Sequence, residues 1–167
     1  MKLTKKLIAV FVLASSMVVG AFADTLCAND VDVGDISGKK VVGSFTLIGA
    51  SDKPIKVEDK TKDPKVDGSL LFTKRLNFKG VGKAGCKIQF TAKAGEKVDV
   101  WAMSSSKTDG RPVQLLNEKN KTVGSADVSK YEGDTVSKVS FTVPADGTYY
   151  VTGKGGGIYV YQVSVGK

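Results

Sequence analysis

Histidine is absent from the 167 residues of the sequence. It is the commonest general base and metal ligand near neutral pH, so its absence excludes Ser-His and Cys-His nucleophile arrangements. The carboxylates are scattered, and no two stand out as the paired acids of a glycoside hydrolase. We expect a protein that is not an enzyme and has no cofactor. Two minor alternatives stay open: a small lyase or hydrolase with a lysine or arginine base and calcium, and a structural calcium ion held by loop oxygens, as in residues 31–35 and 125–134.

Long apolar runs are also absent after the first 20 residues. Before that point, a start with three lysines precedes an apolar stretch of signal-core length, and Ala21–Ala23 forms a small-x-small cleavage pattern. The sequence thus predicts a signal peptide over residues 1–23 and a single domain over residues 24–167. The domain is expected to be secreted to the extracellular space, or periplasmic, with no membrane contact after cleavage. The large residue before Cys27 argues against a lipoprotein.

Cysteine is scarce, with only Cys27 and Cys86 in the chain. Two cysteines in an exported protein usually pair. Closing the loop of about 60 residues between them would stabilise the fold by roughly 4 kcal/mol in the chain-entropy model. We therefore predict a Cys27–Cys86 disulfide, with two free buried thiols as the alternative.

Arginine is equally scarce, although the protein is basic: only Arg75 and Arg111 occur among 25 basic residues. The formal net charge is +8, and residues 51–90 hold ten basic against five acidic residues. A local positive field attracts polyanions, although a solvated, lysine-rich surface would give the same composition. Nucleic acid is a poor candidate partner, because the export signal separates the chain from it and no nucleic-acid-binding motif is present.

What the sequence does contain is a series of short alternating apolar runs, separated by turns rich in Gly, Pro, Asn, Asp and Ser. This pattern predicts an all-β fold: a monomeric antiparallel β-sandwich or jelly roll of roughly eight to ten strands. Lys40–Ala50 and Ser69–Gly80 are two of the predicted strands. Hairpins are expected at Val100–Leu116 and around Gly153–Gly157. The polar run Ser51–Gly68 is expected to be a loop over the sandwich or a mobile flap.

Alternation along the predicted strand Ser69–Gly80 separates two faces. The core face carries Phe72, Lys74, Leu76 and Phe78. The outward face carries Thr73, Arg75 and Asn77. An arginine between hydrogen-bonding side chains is suited to hold a carboxylate through two parallel bonds. An internal salt bridge or an aromatic stack is the alternative role for Arg75.

Trp101 is the only tryptophan. Its predicted strand directs Val98, Val100 and Ala102 into the core, so Trp101 faces the other way. An outward aromatic side chain on a sandwich can stack on a sugar ring. The alternative is that a loop covers Trp101 and the ring packs against neighbouring side chains.

Four ordered stretches resemble the small β-sandwich module attached to bacterial pectate lyases. They are Val66–Gly82, Ile88–Ala92, Val98–Asn117 and Asp146–Val165. That module carries an F-T-x-R-L strand, a strand ending in Y-A-x-S-S-S, an arginine after the serine loop, and a closing G-T-Y-Y and G-I-x-I-Y pair. The N-terminal stretch Ser44–Lys62 also fits the opening strands of that module, so the resemblance covers nearly all of the predicted mature chain.

The resemblance implies a non-catalytic carbohydrate-binding module for an acidic plant polysaccharide, pectin or polygalacturonate. Arg75 and Arg111 match the two arginines of the pattern and would pair with uronate carboxylates. Ser104 opens the serine loop, and Lys154 lies in the closing hairpin. The aromatic candidates for stacking on sugar are Trp101 and Tyr161.

The alternative function is a secreted structural or adhesive surface protein that binds protein partners. An all-β sandwich with an export signal and no catalytic set fits both functions. The sequence does not reveal strand order, so whether Arg75 and Arg111 share a face is left to the structure.

Overall fold

The computed structural model describes residues 23–82 and 84–166, and the predicted signal peptide, apart from Ala23, lies outside the described residues. The described residues contain one short 3-10 helix and no helix that is long and apolar enough to cross a membrane. The elements in chain order are β1 (Asp24–Cys27), the 3-10 helix (Ala28–Asp30), β2 (Gly34–Ile36), β3 (Gly38–Val42), β4 (Phe45–Gly49), β5 (Ile55–Asp59), β6 (Lys65–Asp67), β7 (Leu70–Phe72), β8 (Lys74–Phe78), β9 (Lys87–Ala92), β10 (Lys97–Ser104), β11 (Arg111–Asn117), β12 (Thr122–Val128), β13 (Ser137–Thr142), β14 (Gly147–Gly153) and β15 (Ile158–Gly166).

The strands form two main sheets and one two-stranded ribbon. The first sheet has the order β13-β10-β15-β8-β5-β2, and β1 pairs with the later part of β15. The second sheet has the order β12-β11-β14-β9-β4-β3, and the ribbon is β6-β7. The ladders between these strands are antiparallel. The predicted all-β antiparallel sandwich is therefore confirmed.

The described residues contain fifteen strands, more than the predicted eight to ten, in part because two predicted strands are each divided. Lys40–Ala50 turns back at Gly43, whose φ of 57° favours glycine, and forms the β3-β4 hairpin. Ser69–Gly80 is interrupted at Thr73, where the Asn29 carbonyl Oδ1 accepts a hydrogen bond of 2.9 Å from the Thr73 backbone N–H. The break separates β7 from β8, so the two no longer share one alternation.

The main core lies between the two sheets and is built from inward-facing alternate residues. Its aromatic part is Phe45, Phe90 and Tyr149, with ring centroids 5.9 Å apart for the first pair and 6.4 Å for the second. The Tyr149 hydroxyl donates a hydrogen bond of 2.6 Å to the Ala145 carbonyl, so the polar tip of this buried ring is satisfied. Burying a large apolar side chain contributes about 1.5–3 kcal/mol, and this core therefore holds the sheets together.

A second apolar cluster covers the outer face of the first sheet. Its buried members are Phe72, Trp101, Met103, Val136 and Tyr161. Trp101 and Tyr161 come from the sheet itself, whereas Phe72 and Val136 come from the ribbon and from the segment before β13. The expectation that Phe72 shares the core face of Leu76 and Phe78 is wrong, because the break at Thr73 directs Phe72 to the opposite side of the sheet.

The polar run Ser51–Gly68 is resolved into two parts with different roles. Its first part provides β5 of the first sheet, and its last part provides β6 of the ribbon over the outer face. The Val66 backbone carbonyl accepts a hydrogen bond of 3.1 Å from the Val136 backbone N–H, which joins the ribbon to the segment before β13. The interpretation as a loop over the sandwich is therefore the correct one for this end of the run.

Two predicted hairpins are instead crossovers between the sheets. Strand β10 belongs to the first sheet and β11 to the second, and the same holds for β15 and β14. The connectors 105–110 and 154–157 therefore pass from one sheet to the other. The connectors 50–54 and 79–86 also join the two sheets at this end, because Ile55, Phe78 and Ile158 are neighbours in register. We call this end of the sandwich the crossover end.

The covering ribbon can be tested through Trp101, the only tryptophan, whose indole N–H donates a hydrogen bond of 2.6 Å to Asp67 in the ribbon. We expect blue-shifted fluorescence and weak acrylamide quenching in the native protein. Asp67→Ala leaves the buried donor unpaired, so it should lower the free energy of unfolding by about 1–3 kcal/mol and increase quenching. Asp127→Ala, at an exposed residue of β12, is the control. Strong quenching of the native protein would show that the ribbon does not cover this face.

Candidate functional site

Arg75 lies on the outer face of the first sheet, as predicted, but it is only 6% exposed. Its Nε and Nη2 both lie 2.7 Å from Oε2 of Glu58, and the Asn77 amide donates a hydrogen bond of 2.8 Å to the other carboxylate oxygen. Thr73 contacts Asn29 instead. The predicted carboxylate partner of Arg75 is thus found inside the protein, on the neighbouring strand β5. Arg75, Asn77 and Thr73 form internal contacts and no open ligand site.

Two tyrosines enclose the Arg75 guanidinium. Its central carbon lies 3.5 Å from the ring centroid of Tyr159 and 5.1 Å from that of Tyr131. The Tyr131 hydroxyl donates a hydrogen bond of 2.6 Å to Asp63, which also pairs with the buried Lys65 at 2.7 Å. Cation–π contact and ion pairing therefore hold Arg75 in place under the segment that carries Tyr131.

The carboxyl of Glu58 is held in its charged form. Burial by itself would raise the pKa of Glu58, but the hydrogen bonds from Asn77 and Arg75 and the charge of Arg75 outweigh it, so the pKa lies below its ordinary value of 4.5. Burial would lower the pKa of Arg75, and the bond to Glu58 reverses that effect and raises it. Each group thus favours the charged form of the other.

Neither predicted stacking ring is accessible. Trp101 is 6% and Tyr161 1% exposed, and both are enclosed in the second apolar cluster. Lys138 lies over the Trp101 ring, with its ammonium 4.8 Å from the ring centroid. Burial raises the pKa of the Tyr161 hydroxyl well above its ordinary value. The expectation that these two rings stack on sugar is wrong, because the ribbon covers both of them. For Trp101, the alternative that the ring packs against neighbouring side chains is correct.

Arg111 has a different environment from Arg75. Its Nη1 donates hydrogen bonds of 2.9 Å to the Ser105 hydroxyl and 2.8 Å to the Gly157 carbonyl. Both acceptors are neutral, so the charge of Arg111 is not compensated by them. A Cβ atom on Gly156 would lie 2.5 Å from the central carbon of the guanidinium, and only glycine therefore allows this close approach. Arg111 is half-buried and joins the two crossovers that the sequence suggested were hairpins.

The other predicted residues of these crossovers have mixed roles. Ser104 is fully buried, and its hydroxyl accepts a hydrogen bond of 3.0 Å from the Ser106 backbone N–H, so it shapes the loop. The Lys154 side chain is exposed, while its backbone N–H donates a hydrogen bond of 3.0 Å to the Pro112 carbonyl. Ser104 is therefore a structural residue, and Lys154 adds a free cation to the crossover end.

A depression of about 410 Å³ opens at the crossover end next to Arg111. Its lining includes Lys53, Lys79, Gly155 and Gly156, with Asp52 as its acidic residue. Gly156 directly contacts the Arg111 guanidinium, so the depression and Arg111 adjoin. We call this the basic depression.

The basic depression differs from the other cavities in its unbalanced positive charge. None of the eight ion pairs within the described ranges involves Arg111, Lys53, Lys79 or Lys154. A depression of about 450 Å³ at the opposite end is lined by three carboxylates and one lysine. A third, of about 310 Å³, is formed by residues 59–63 with two acidic and two basic side chains. The basic depression is therefore the candidate site for an anionic ligand.

The two arginines do not converge on a common partner. Arg111 donates a hydrogen bond to Gly157, and Arg75 contacts the ring of Tyr159. The two arginines therefore contact residues that are two positions apart in the sequence. Their remaining partners, Ser105 for Arg111 and both Glu58 and Tyr131 for Arg75, lie on different segments of the chain. Arg75 is a buried structural cation, and Arg111 borders the basic depression.

The predicted Cys27–Cys86 disulfide is wrong, because both cysteines are free thiols in the structure. Cys86 lies in the main core, and its thiol donates a hydrogen bond of 3.1 Å to the Lys53 carbonyl. Cys27 packs against the second cluster on the other side of the first sheet. The first sheet separates the two thiols, which is the reason that they do not pair.

Metal ligands do not cluster in the part of the chain that the structure describes. No group of three or more Cys, Asp or Glu side chains there could hold a metal ion. This includes the two stretches named as calcium candidates, 31–35 and 125–134.

Sequence reasoning missed Glu58 as the partner of Arg75, and it did not single out Lys53 and Lys79 among the ten basic residues of the segment 51–90. Glu58 is in register with Arg75 across β5 and β8. On β5, alternation puts Glu58 on the other face of the strand from the buried Ile55 and Val57. Only the strand order shows that β5 pairs with β8, which brings Glu58 next to Arg75. Lys53 and Lys79 precede and follow strands that meet at the crossover end, and no local pattern marks them.

The Glu58–Arg75 pair predicts a specific pH dependence of stability. Glu58→Gln leaves the Arg75 charge buried without its carboxylate, so at neutral pH we expect a loss of about 3–5 kcal/mol in the free energy of unfolding. Since the pKa of Glu58 is lowered on folding, its contribution to stability is complete above its ordinary value of 4.5 and is lost as the pH falls through the folded pKa.

Urea unfolding of both proteins from pH 7 to pH 3 measures this effect. The difference between wild type and Glu58→Gln should shrink at the acidic end. Glu132→Gln, whose carboxylate pairs with Lys130 on the surface, serves as the matched control and should change stability by less than about 1 kcal/mol. A constant difference between wild type and Glu58→Gln across this pH range would contradict the assignment.

Comparison with known proteins was made for family, for curated sequence and for structure. A family model described as "Bacterial pre-peptidase C-terminal domain" matches residues 87–152, which run from β9 into β14 and make up less than half of the chain. No curated protein sequence matches.

Among solved structures, the K2 cleaved adhesin domain of Lys-gingipain has a TM-score of 0.56 at 9% identity, covering 89% of this chain and 100% of that chain. The K1 cleaved adhesin domain of Lys-gingipain from Porphyromonas gingivalis W83 has a TM-score of 0.56 at 10% identity, covering 86% and 97%. The CBM22-1-GH10 modules of Clostridium thermocellum xylanase 10B, solved with xylohexaose, have a TM-score of 0.50 at 13% identity, covering 74% of this chain and 26% of that chain.

This chain therefore spans about a quarter of the xylanase structure, and nearly all of each adhesin domain. At identities this low the similarity shows a shared fold: a β-sandwich of the kind found in carbohydrate-binding modules and in cleaved adhesin domains. The predicted likeness to modules of pectate lyases, and binding of pectin, stay predictions.

Proposed function

We propose that this protein is a non-catalytic module that acts outside the cytoplasm and binds an acidic polysaccharide at the basic depression. The observation that carries the proposal is the positive charge of Lys53 and Lys79, which line one concave surface, together with that of Arg111, which adjoins the surface at Gly156; none of the three forms an ion pair within the described residues. Cations without carboxylate partners keep their charge available for an anionic ligand. Pectin or polygalacturonate, with a carboxylate on each uronate unit, is the ligand class that this charge favours.

Arg111 is prepared for this role by its neutral partners. Its bonds to Ser105 and Gly157 use Nη1, and the remaining guanidinium N–H groups can donate to a carboxylate. The orientation of the planar group is already fixed, so little side-chain entropy is lost on binding. Lys53 and Lys79 add positive field at the same surface and would attract a polyanion from solution.

The shared fold supports the polysaccharide as the ligand. The xylanase modules of similar fold were solved with xylohexaose, a sugar chain. Xylohexaose carries no charge, whereas the basic depression of this chain is positively charged. This difference favours an acidic polysaccharide over a neutral one as the ligand here. Arg75, Thr73, Asn77, Trp101 and Tyr161 have no part in the proposed site, because they are engaged or buried under the ribbon.

Protein adhesion is the second candidate function. It is favoured by the fold shared with two cleaved adhesin domains and by exposed apolar side chains, with Val33 58% and Leu71 53% exposed. Exposed apolar residues of this size are suited to protein contacts when they form a patch. This candidate predicts binding to a protein surface and no dependence on anionic glycans.

Polygalacturonate binding measured by calorimetry tests the first proposal. We expect binding at low salt that weakens as salt rises, because ions screen the exposed charges. Arg111→Ala should weaken binding by about tenfold or more, since hydrogen bonds to charged groups contribute about 1.5–3 kcal/mol. The double variant Lys53→Met and Lys79→Met, which keeps the Arg111 contacts, should also bind polygalacturonate more weakly than the wild type.

Lys97→Met, at an exposed residue on β10 away from the crossover end, is the matched control and should leave the affinity unchanged. Arg111→Lys retains the charge and tests the planar geometry. Thermal unfolding confirms that each variant is folded. Absence of binding to polygalacturonate at low salt would reject the proposed function, and full binding by both depression variants would reject the site.

A further inference from the structure

The outer face of the second sheet is open where β4, β9 and β14 lie side by side. Thr46, Gln89 and Tyr150 are direct neighbours in register across these strands and are half-exposed. The flanking residues Tyr149 and Val151 point into the main core, so Tyr150 must face outward. The row thus presents an aromatic ring, an amide and a hydroxyl about 4.8 Å apart from strand to strand.

Lys87 gives this open face an uncompensated positive charge. Its ammonium donates a hydrogen bond of 2.8 Å to the Asn120 side-chain carbonyl and lies 5.2 Å from the ring centroid of Tyr150. No ion pair within the described residues involves Lys87. Burial lowers the pKa of Lys87, because the loss of water around the ammonium disfavours its charged form.

The connector between β8 and β9 borders both this face and the basic depression. Thr152 lies two residues from Tyr150 on the same side of β14 and is fully buried. Its hydroxyl accepts a hydrogen bond of 3.0 Å from the Gly82 backbone N–H and donates one of 2.9 Å to the Cys86 carbonyl. These bonds fix the connector between β8 and β9 on the sheet, and that connector also lines the basic depression.

The distance between the two surfaces sets the kind of ligand that could contact both. Tyr150 is three residues from the end of β14 at Gly153, about 10 Å along the strand, and the glycines that line the depression follow immediately. A monosaccharide cannot bridge this separation, whereas a polysaccharide chain can.

From these observations we infer that Lys87 and Tyr150 form a second subsite for the same acidic polysaccharide, which extends from the basic depression across the fixed connector onto the open face of the second sheet. The inference rests on the proposed function. In this subsite Lys87 donates to a uronate carboxylate, and Tyr150 contacts the sugar ring. Two linked contacts raise the affinity for long chains and leave that for short ones unaffected.

The test compares long polygalacturonate with digalacturonate in calorimetry, using wild type, Lys87→Met, Tyr150→Ala and the control Lys97→Met. We expect Lys87→Met and Tyr150→Ala each to weaken long-chain binding by about tenfold, with digalacturonate binding unchanged. Tyr150→Phe should bind as wild type does if the ring makes the contact. Thermal unfolding confirms that the variants are folded.

Lysine acylation of the wild-type protein, followed by mass spectrometry, gives a second measurement without substitution. Long polygalacturonate should protect Lys87 and leave Lys97 unprotected, and digalacturonate should protect neither. Unchanged long-chain affinity together with an unprotected Lys87 would overturn the subsite and leave the basic depression standing. Equal weakening for both ligand lengths would also overturn it, because Lys87 would then belong to the first subsite. A wild type that binds no polygalacturonate rejects the proposed function itself.

Discussion

The candidate site depends on the contact of one guanidinium with two crossovers. Arg111 bonds to Ser105 in the connector after β10 and to Gly157 in the connector before β15. Because these connectors pass from one sheet to the other, the bonds hold the crossover end together and fix one wall of the basic depression. The approach is possible only because Gly156 has no side chain. The same glycine-rich segment that closes the sandwich therefore also places a charged group at its surface.

The distribution of carboxylates determines which cations are structural and which are available. Arg75, the arginine that the sequence marked most strongly, has Glu58 as its partner and two tyrosines around it. A buried guanidinium needs such compensation, because an unpaired charge away from water is costly. Arg111 and the lysines of the depression lie at the surface, where water can solvate them, so the fold tolerates them without a carboxylate. Arg111, Lys53 and Lys79 thus lie at the crossover end without an ion-pair partner among the described residues, whereas Arg75 on the outer face of the first sheet is paired with Glu58.

Local pattern was sufficient for the strands but not for the contacts between distant parts of the chain. Alternation correctly placed Val98, Val100 and Ala102 in the core and Arg75 on the outer face. It could not show that the ribbon folds back over that face, so it left Trp101 and Tyr161 as exposed candidates. It also joined β7 to β8, because the interruption at Thr73 comes from Asn29, more than 40 residues earlier in the chain. Tyr150, outward by the same alternation that buries Tyr149, could have been found from the sequence. Its neighbour Lys87 becomes meaningful only when β9 and β14 are known to pair.

By itself, the sequence determined the all-β class, the lack of a histidine-based catalytic set and the concentration of positive charge between residues 51 and 90, because these follow from composition and from the two-residue period of a strand. The tertiary structure alone decided which turns are hairpins and which are crossovers, that the two cysteines lie on opposite sides of the first sheet, and which basic side chains lack a carboxylate. These properties depend on strand order and on contacts between distant segments. Because the free energy of a charge or a thiol is set by its neighbours in space, identical residue types received opposite roles: Arg75 is structural, and Arg111 is available for a ligand.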